Sequence, residues 1–331
     1  MSTTSPRVAV VIPFFQVQSG VLRRAVASAL EQECDGDFEI IVIDDASPCS
    51  AESEIRDFMD AHPAKIRVFR NAVNAKQGAA RNRALDALSP DTEYVALLDS
   101  DDEWTGNHLG NAVAALDRGY DFYFADHYQL HQKVSAFNRN DAIDVEEHPL
   151  VAGTDGLREF RGDMFGQIIH RNVLSVSTTV YRARKFPDLR FPTEYTITGE
   201  EYMFWLGLAK RTNRIVFSTK SDCRYGEGVN VYSGTRWEHP RILEKIYDEI
   251  RFRKVVASRF ELTTLQKRDL LRRVRSLRDD CVRVVLHAAL GRSRVDRHHL
   301  LKILATDPVL AFEFLPRSIS IAMSRYRGHT G

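Results

Sequence analysis

Residues 94–104 read YVALLDSDDEW: an apolar run from Tyr94 to Leu98, then Asp99, Asp101, Asp102 and Glu103 in close order, closed by Trp104. A short, unbroken apolar run is the pattern of a strand buried on both faces of a parallel sheet. In such sheets ligands bind outside the carboxyl ends of the strands, near the point where strand order reverses. Carboxylates crowded behind a buried strand therefore mark where chemistry is to be sought.

Working outward, similar runs stand at residues 8–14 (VAVVIPF), 38–44 (FEIIVID), 66–70 (IRVFR) and 120–125 (YDFYFA), with the central strand taken as 94–99. Between them, residues 21–33, 51–61, 78–88 and 107–118 space apolar side chains along one face of a helix. This alternation predicts an α/β fold with a Rossmann-like, mostly parallel sheet flanked by helices. Further on, 131–150 reads as a polar excursion or flexible loop, 174–181 as a strand, 200–211 as an amphipathic helix and 215–218 as a short strand. From Pro240 the pattern is helical, over 241–260, 264–290 and a last stretch from His298. The expected organisation is a domain over 1–239, with a nucleotide-binding half at 1–130 and an acceptor-side half at 131–239, and a helical extension over 240–331.

The chain has 331 residues, 44% hydrophobic and 27% charged, which excludes disordered, collagen-like and disulfide-scaffold classes. No apolar run approaches the roughly 20 residues of a spanning helix, and the N-terminus carries no secretory pattern. Cys34, Cys49, Cys223 and Cys281 are widely spaced, without a C-x-x-C pair or zinc-like arrangement. Reduced thiols and a cytoplasmic location are the expectation. Residues 251–331 hold 18 Lys and Arg against 7 Asp and Glu, a charge of +11, leaving −10 for the first 250 residues. A basic helical tail fits peripheral contact with an anionic bilayer at the inner face of the plasma membrane; a solvated bundle or an oligomer contact fits the same residues. Nucleic acid is set aside, because the body is acidic and no zinc-finger or RRM signature is present.

The strand at 38–44 ends in Asp44-Asp45-Ala46-Ser47, giving a second acidic cluster beside the first. Carboxylates on neighbouring strand ends repel one another unless positive charge sits between them. Mg²⁺ or Mn²⁺ takes one or two carboxylates and leaves its other positions to water and substrate phosphates, which implies a nucleoside diphosphate derivative as substrate. Turns and helix caps also favour Asp, and that reading competes most strongly at Asp44 and Asp45.

Four segments in order, VAVVIPFFQ (8–16), IIVIDDAS (40–47), NAKQGAARN (74–82) and LLDSDDEW (97–104), resemble the successive motifs of the family 2 inverting glycosyltransferases, which have the GT-A fold. The resemblance implies that Pro13 and Phe15 flank the base and ribose of a UDP-sugar and that Asp45 accepts a hydrogen bond from uracil. It implies further that Asp99 and Asp101 form the D-x-D pair, which with Asp102 holds the ribose and the metal, Asp101 and Asp102 being the metal ligands. It places Arg81 near the nucleotide and Trp104 where an aromatic can stack on a sugar face, with core packing as the alternative. Lys76 and Gln77 depart from the glycine-rich wording usual in that loop.

An inverting transferase also needs a carboxylate to deprotonate the acceptor hydroxyl, a contribution of about 10² to 10⁴-fold. The segment TGEEYMFW (198–205) is similar to the family's G-E-D-x-x-x-W, so Glu201 stands where the basic Asp is expected, with Glu200 as the alternative. Both would also complement a helix dipole without any catalytic role. Residues 225–237 (YGEGVNVYSGTRW) read as a mobile loop, with Arg236 and His239 as candidates to reach the diphosphate, or as a bland surface loop. In wording the chain resembles bacterial glucosyltransferases that extend succinoglycan-type exopolysaccharide. That implies UDP-glucose as donor, a β-1,3 linkage and a polyprenyl-diphosphate-linked saccharide acceptor. A silent nucleotide-sugar binder would keep the fold without needing both the acidic cluster and the carboxylate pair.

Overall fold

The computed structural model describes residues 7–139, 142–227, 239–291 and 294–327. The chain forms two compact units, Met1–Thr193 with Phe204–Val229, and Glu194–Met203 with Asn230–Gly331.

The first unit opens with β1 (Val8–Phe14), α1 (Val21–Leu30), β2 (Phe38–Asp44), the short helices α2 (Ala51–Glu54) and α3 (Arg56–Ala61), and β3 (Ile66–Arg70). It continues through α4 (Lys76–Asp86), β4 (Tyr94–Leu97), β5 (Glu103–Trp104), α5 (His108–Asp117), β6 (Phe122–Tyr128), β7 (Leu157–Glu159), α6 (Met164–His170), β8 (Val180–Arg182), α7 (Glu200–Arg211) and β9 (Ile215–Arg224). The first turn of α7, Glu200 to Met203, is grouped with the second unit. Among the described residues these strands make a nine-stranded sheet in the order β3-β2-β1-β4-β8-β6-β9-β5, with β7 pairing β9. β3, β2, β1 and β4 run parallel, as do β6 and β9, while β8, β5 and β7 join antiparallel. All seven residues of β1 and of β2 are buried, as strands covered on both faces must be. One side chain set points to a core with Leu22, Val26 and Ala29 of α1 and Leu109, Val113 and Leu116 of α5.

Several elements differ from the sequence expectation. The helix expected over 51–61 is interrupted at Ile55, which leaves helical geometry at φ −120° and turns its apolar side chain into the core. The strand expected over 174–181 is a 3₁₀ turn at Val176–Thr178 followed by β8. The short strand at 215 runs on to Arg224, because pairing with β6 resumes after register shifts at Asp126 and Tyr128. The excursion after 130 is anchored: Phe137 is buried and packs edge-on against Phe124 and Phe217 at 5.8 and 5.5 Å.

The second unit is helical, with α8 (Ile242–Arg259), α9 (Thr264–Ala289), α10 (Arg297–Thr306) and α11 (Val309–Arg327). Thr263 and Gln266 close a reciprocal capping box at the start of α9. Leu243, Ile246, Ile250, Leu277, Cys281, Ile303, Leu310 and Ile321 form its own core. Fully buried Asp307 pairs with Arg278 at 2.6 and 2.9 Å and with Lys254 at 3.1 Å. Asp248 of α8 accepts the backbone N–H groups of Thr196 and Ile197 at 3.0 and 2.8 Å, which fastens the segment before α7 to this unit. All four cysteines are free thiols. Among the described residues no helix is long and apolar enough to cross a membrane.

Candidate active site

β4 and β2 lie on opposite sides of β1, so strand order reverses between β1 and β4, and the crevice opens where Phe15 and Asp99 follow their carboxyl ends. Phe15 is 38% exposed there, whereas Pro13 is buried within β1. Gln16 and Ser47 tie the ends of β1 and β2 together: the Gln16 N–H donates to the Ser47 hydroxyl at 2.9 Å, and that hydroxyl donates back to the Gln16 carbonyl at 2.8 Å.

The two aspartates at the end of β2 are held by donors from within the chain. Asp44 accepts from the Ser47 and Ala51 N–H groups at 2.7 and 3.0 Å and from the Arg70 guanidinium at 2.7 Å. Asp45 accepts from Asn71 at 2.6 Å, from the Ala75 N–H at 2.9 Å and from the Lys76 N–H at 2.8 Å. The expected uracil acceptor thus takes three donors from within the chain, two of them backbone N–H groups at the start of α4. The departure from glycine-rich wording falls on a position where glycine would be favoured. Lys76 enters α4 at φ +74°, a left-handed conformation that glycine adopts without steric cost.

α4 carries Arg81 into the interior, 1% exposed, where it donates to Asp99 at 2.6 Å with its guanidinium over the Phe191 ring at 5.2 Å. Asn82 next to it brackets the Phe191 backbone with two 2.8 Å hydrogen bonds. Arg81 is therefore an interior residue of α4, and it holds one member of the acidic cluster.

Asp102 is 5% exposed and accepts from the Ser177 hydroxyl at 2.6 Å and from the Gly226 N–H at 3.2 Å. Ser177 also accepts the Asp99 N–H at 3.1 Å, so one hydroxyl sets two of the three aspartates. Burial, then the charges of Asp101 and Asp99, push the Asp102 carboxyl well above the usual carboxylate range. Burial followed by the Asp99 charge pushes Asp101 up to about 6, while Arg81 and Arg24 draw it down. Trp104 departs from the expected sugar-stacking role. It is 4% exposed, donates its indole N–H to the Ser177 carbonyl at 2.6 Å and packs on His108, so it belongs to the core.

A divalent cation suits this donor set in one specific way. Among the described residues no three His, Cys, Asp or Glu side chains converge into a protein cage. Asp102 already serves two protein donors, whereas Asp101, raised by burial beside a like charge, is the carboxylate a cation would relieve. One or two carboxylates plus phosphate oxygens is the coordination Mg²⁺ ordinarily takes.

Gly199 precedes α7 at φ +121°, which only glycine takes readily, and a β-carbon there would lie 2.8 Å from the Tyr195 ring. This turn starts α7 at Glu200, which is 1% exposed, with Glu201 half-buried beside it. Trp205 one turn on donates to the Thr179 hydroxyl at 3.1 Å. Arg236 and most of the loop at 225–237 lie outside the described residues. His239 accepts the Arg241 N–H at 3.1 Å, a local helix-start contact. Sequence reading missed Ser177, Gly226 and Arg24. Ser177 sits among other hydroxyl residues (SVSTT, 175–179) with no motif to single it out, and Gly226 shows only as punctuation.

Comparison with known proteins agrees with this geometry. The family model described as Glycosyl transferase family 2 matches residues 9–181. The succinoglycan biosynthesis protein ExoW of Rhizobium meliloti is 30% identical over 249 residues, 73% of this chain and 76% of that protein. The Escherichia coli protein WfgD, named as a UDP-Glc:α-D-GlcNAc-diphosphoundecaprenol β-1,3-glucosyltransferase, is 24% identical over 206 residues, 62% of this chain and 71% of its own length. Residues 1–349 of S. aureus TarS, solved with UDP-GlcNAc, superpose with a TM-score of 0.57 at 16% identity, covering 97% of this chain and 92% of that one. The chain spans 55% of the longer TarS structure. The sheet with its flanking helices is the GT-A fold of a glycosyltransferase. The chain belongs to the family 2 glycosyltransferases.

Proposed function

We propose that the protein is an inverting glycosyltransferase that moves glucose from UDP-glucose to a hydroxyl of a growing polyprenyl-diphosphate-linked exopolysaccharide saccharide, forming a β-glycosidic bond, as β-1,3. Residues 1–239 supply the reacting groups, residues 240–331 form the helical extension, and the chain works at the cytoplasmic side of the membrane. The observation that carries the reading is Asp99 held by Arg81 and Asp102 held by Ser177 and Gly226, on either side of Asp101, at the β1/β4 switch point. Donor, linkage and acceptor are supported by the name of WfgD, and the exopolysaccharide setting by ExoW.

Phe15 and Pro13 bind the nucleoside in this reading, and Arg81 fixes Asp99 toward the ribose. Asp101, with Asp102 behind it, holds Mg²⁺ or Mn²⁺, which when bound neutralises charge on the leaving diphosphate. Glu201, or Glu200, takes the proton from the acceptor hydroxyl as that oxygen attacks the anomeric carbon from the face opposite the diphosphate. One bond forms as the other breaks, so an α-linked donor gives a β-glycoside without a covalent sugar intermediate.

The test is nucleotide release from UDP-, GDP- and dTDP-sugars with Mn²⁺ or Mg²⁺ and lipid-linked acceptors. Turnover of UDP-glucose that needs the cation and falls in both Asp101→Ala and Glu201→Gln supports the reading. A protein that binds UDP and turns over no donor overturns it in favour of a silent binder.

A further inference from the structure

α11 is apolar on two faces. Leu310 and Ile321 point into the helical core and Phe314 packs against it. On the outside Val309, Phe312, Leu315, Ile319 and Met323 are 42, 83, 69, 54 and 54% exposed. At 3.6 residues per turn these five and exposed Pro316 fall within an arc of about 120°, and from Val309 to Met323 that arc carries no charge. The described charged side chains of the helix are turned inward instead: Glu313 pairs with Arg278 at 3.1 Å, and Arg317 pairs with Glu313 and Asp279. A surface helix ordinarily has the reverse arrangement, and a contiguous exposed apolar stripe of this kind marks an interaction site.

Charge selects the occupant. Between residues 264 and 327 every acidic side chain described is buried or half-buried, whereas Lys267, Arg268, Arg275, Arg294, Arg297 and Lys302 are exposed. Arg275 adjoins α11, since its carbonyl accepts from Arg317 at 3.4 Å. A symmetric pairing of two copies would set this basic surface near itself, whereas an anionic bilayer complements it. No described helix is fit to span, so the fitting geometry is a helix lying in the plane of the interface.

We infer that the outer face of α11 is a membrane-docking surface, with Phe312, Leu315, Ile319 and Met323 entering the headgroup boundary of an anionic bilayer and the exposed Lys and Arg of α9 and α10 at its phosphates. The inference does not depend on the donor or acceptor proposed above, and it narrows the basic-tail expectation to one helix face.

The test uses the full chain with phosphatidylcholine vesicles, with and without phosphatidylglycerol, in a flotation assay. Wild type should float with the anionic vesicles and lose binding as salt rises. Phe312→Ser combined with Leu315→Ser, both exposed positions, should reduce the partition coefficient at least about ten-fold with an unchanged far-ultraviolet spectrum. In a second measurement, Phe312→Trp should gain fluorescence that brominated lipid quenches beyond the wild-type background. Wild type that stays with the buffer, a double-serine variant that floats equally well, or an unquenched Trp at 312 overturns the inference. A wild-type dimer that the double-serine change converts to monomer, without vesicle binding, overturns it in favour of a contact between copies.

Discussion

Ser177 is the smallest group on which the acidic cluster depends, since its hydroxyl serves Asp102 and the Asp99 backbone together. Removing a hydrogen bond to a charged group typically costs about 1.5–3 kcal/mol. Ser177→Ala should therefore lower kcat/KM for the donor by about 10- to 100-fold. Ser177→Thr, which keeps the hydroxyl, should recover part of that loss. Steady-state kinetics on both variants checks this, and equal activity in Ser177→Ala would remove the hydroxyl from the site. Gly226 acts through backbone rather than side chain. A β-carbon there would run into the Asp101 carbonyl oxygen, so Gly226→Ala should displace the strand end that carries the aspartates. Donor turnover is expected to fall at least about ten-fold while the melting temperature moves only a few degrees, because the residue lies outside the cores.

At the scale of elements, α5 carries a buried histidine at its first position. His108 is wholly buried between the rings of Trp104 and Tyr123, at 5.0 and 5.5 Å, and burial pushes its imidazole down to about 3. A base with a depressed folded pKa contributes its full stability above the unfolded value near 6.5 and loses it as pH falls below that. At pH 5 the loss is about 2 kcal/mol. His108→Leu should therefore lose less stability than wild type between pH 7 and pH 5 in urea titrations, and identical losses would refute the assignment. The capping box at Thr263 and Gln266 starts a helix of 26 residues. Thr263→Ala should cost about 1 kcal/mol by the same measurement.

On the scale of the whole molecule, the sequence boundary at 239/240 cuts across a compact unit, because Glu194–Met203 groups with the C-terminal helices. Asp248 holds the Thr196 and Ile197 N–H groups, and Tyr202 packs against Phe252 at 5.4 Å. A chain ending at residue 239 should lose the order of this segment and, with it, the placement of Glu200 and Glu201. Such a chain is expected to retain UDP binding by calorimetry while losing transfer activity. A truncated chain that still transfers sugar would show that α8 to α11 play no part in positioning the carboxylates.

The sequence by itself determined the strands β1, β2 and β3 to the residue and the family to which the chain belongs, because short β-branched or apolar runs and an acidic strand end are local patterns. It determined also that carboxylates gather near one point, since strand ends in a parallel sheet lie on one edge. Which aspartates take donors from neighbouring elements was decided by tertiary contact alone. Asp45 and Asp101 look alike in sequence, yet one accepts the backbone of α4 and the other is raised to about 6 by burial beside Asp99. Trp104 reads equally as a sugar-stacking or a core aromatic until its burial beside β9 decides for the core, and Ser177 joins Asp102 from 75 positions along the chain. The α11 stripe was hidden for the same reason: helical spacing reveals that a helix has apolar faces, and only packing reveals which of them remains uncovered.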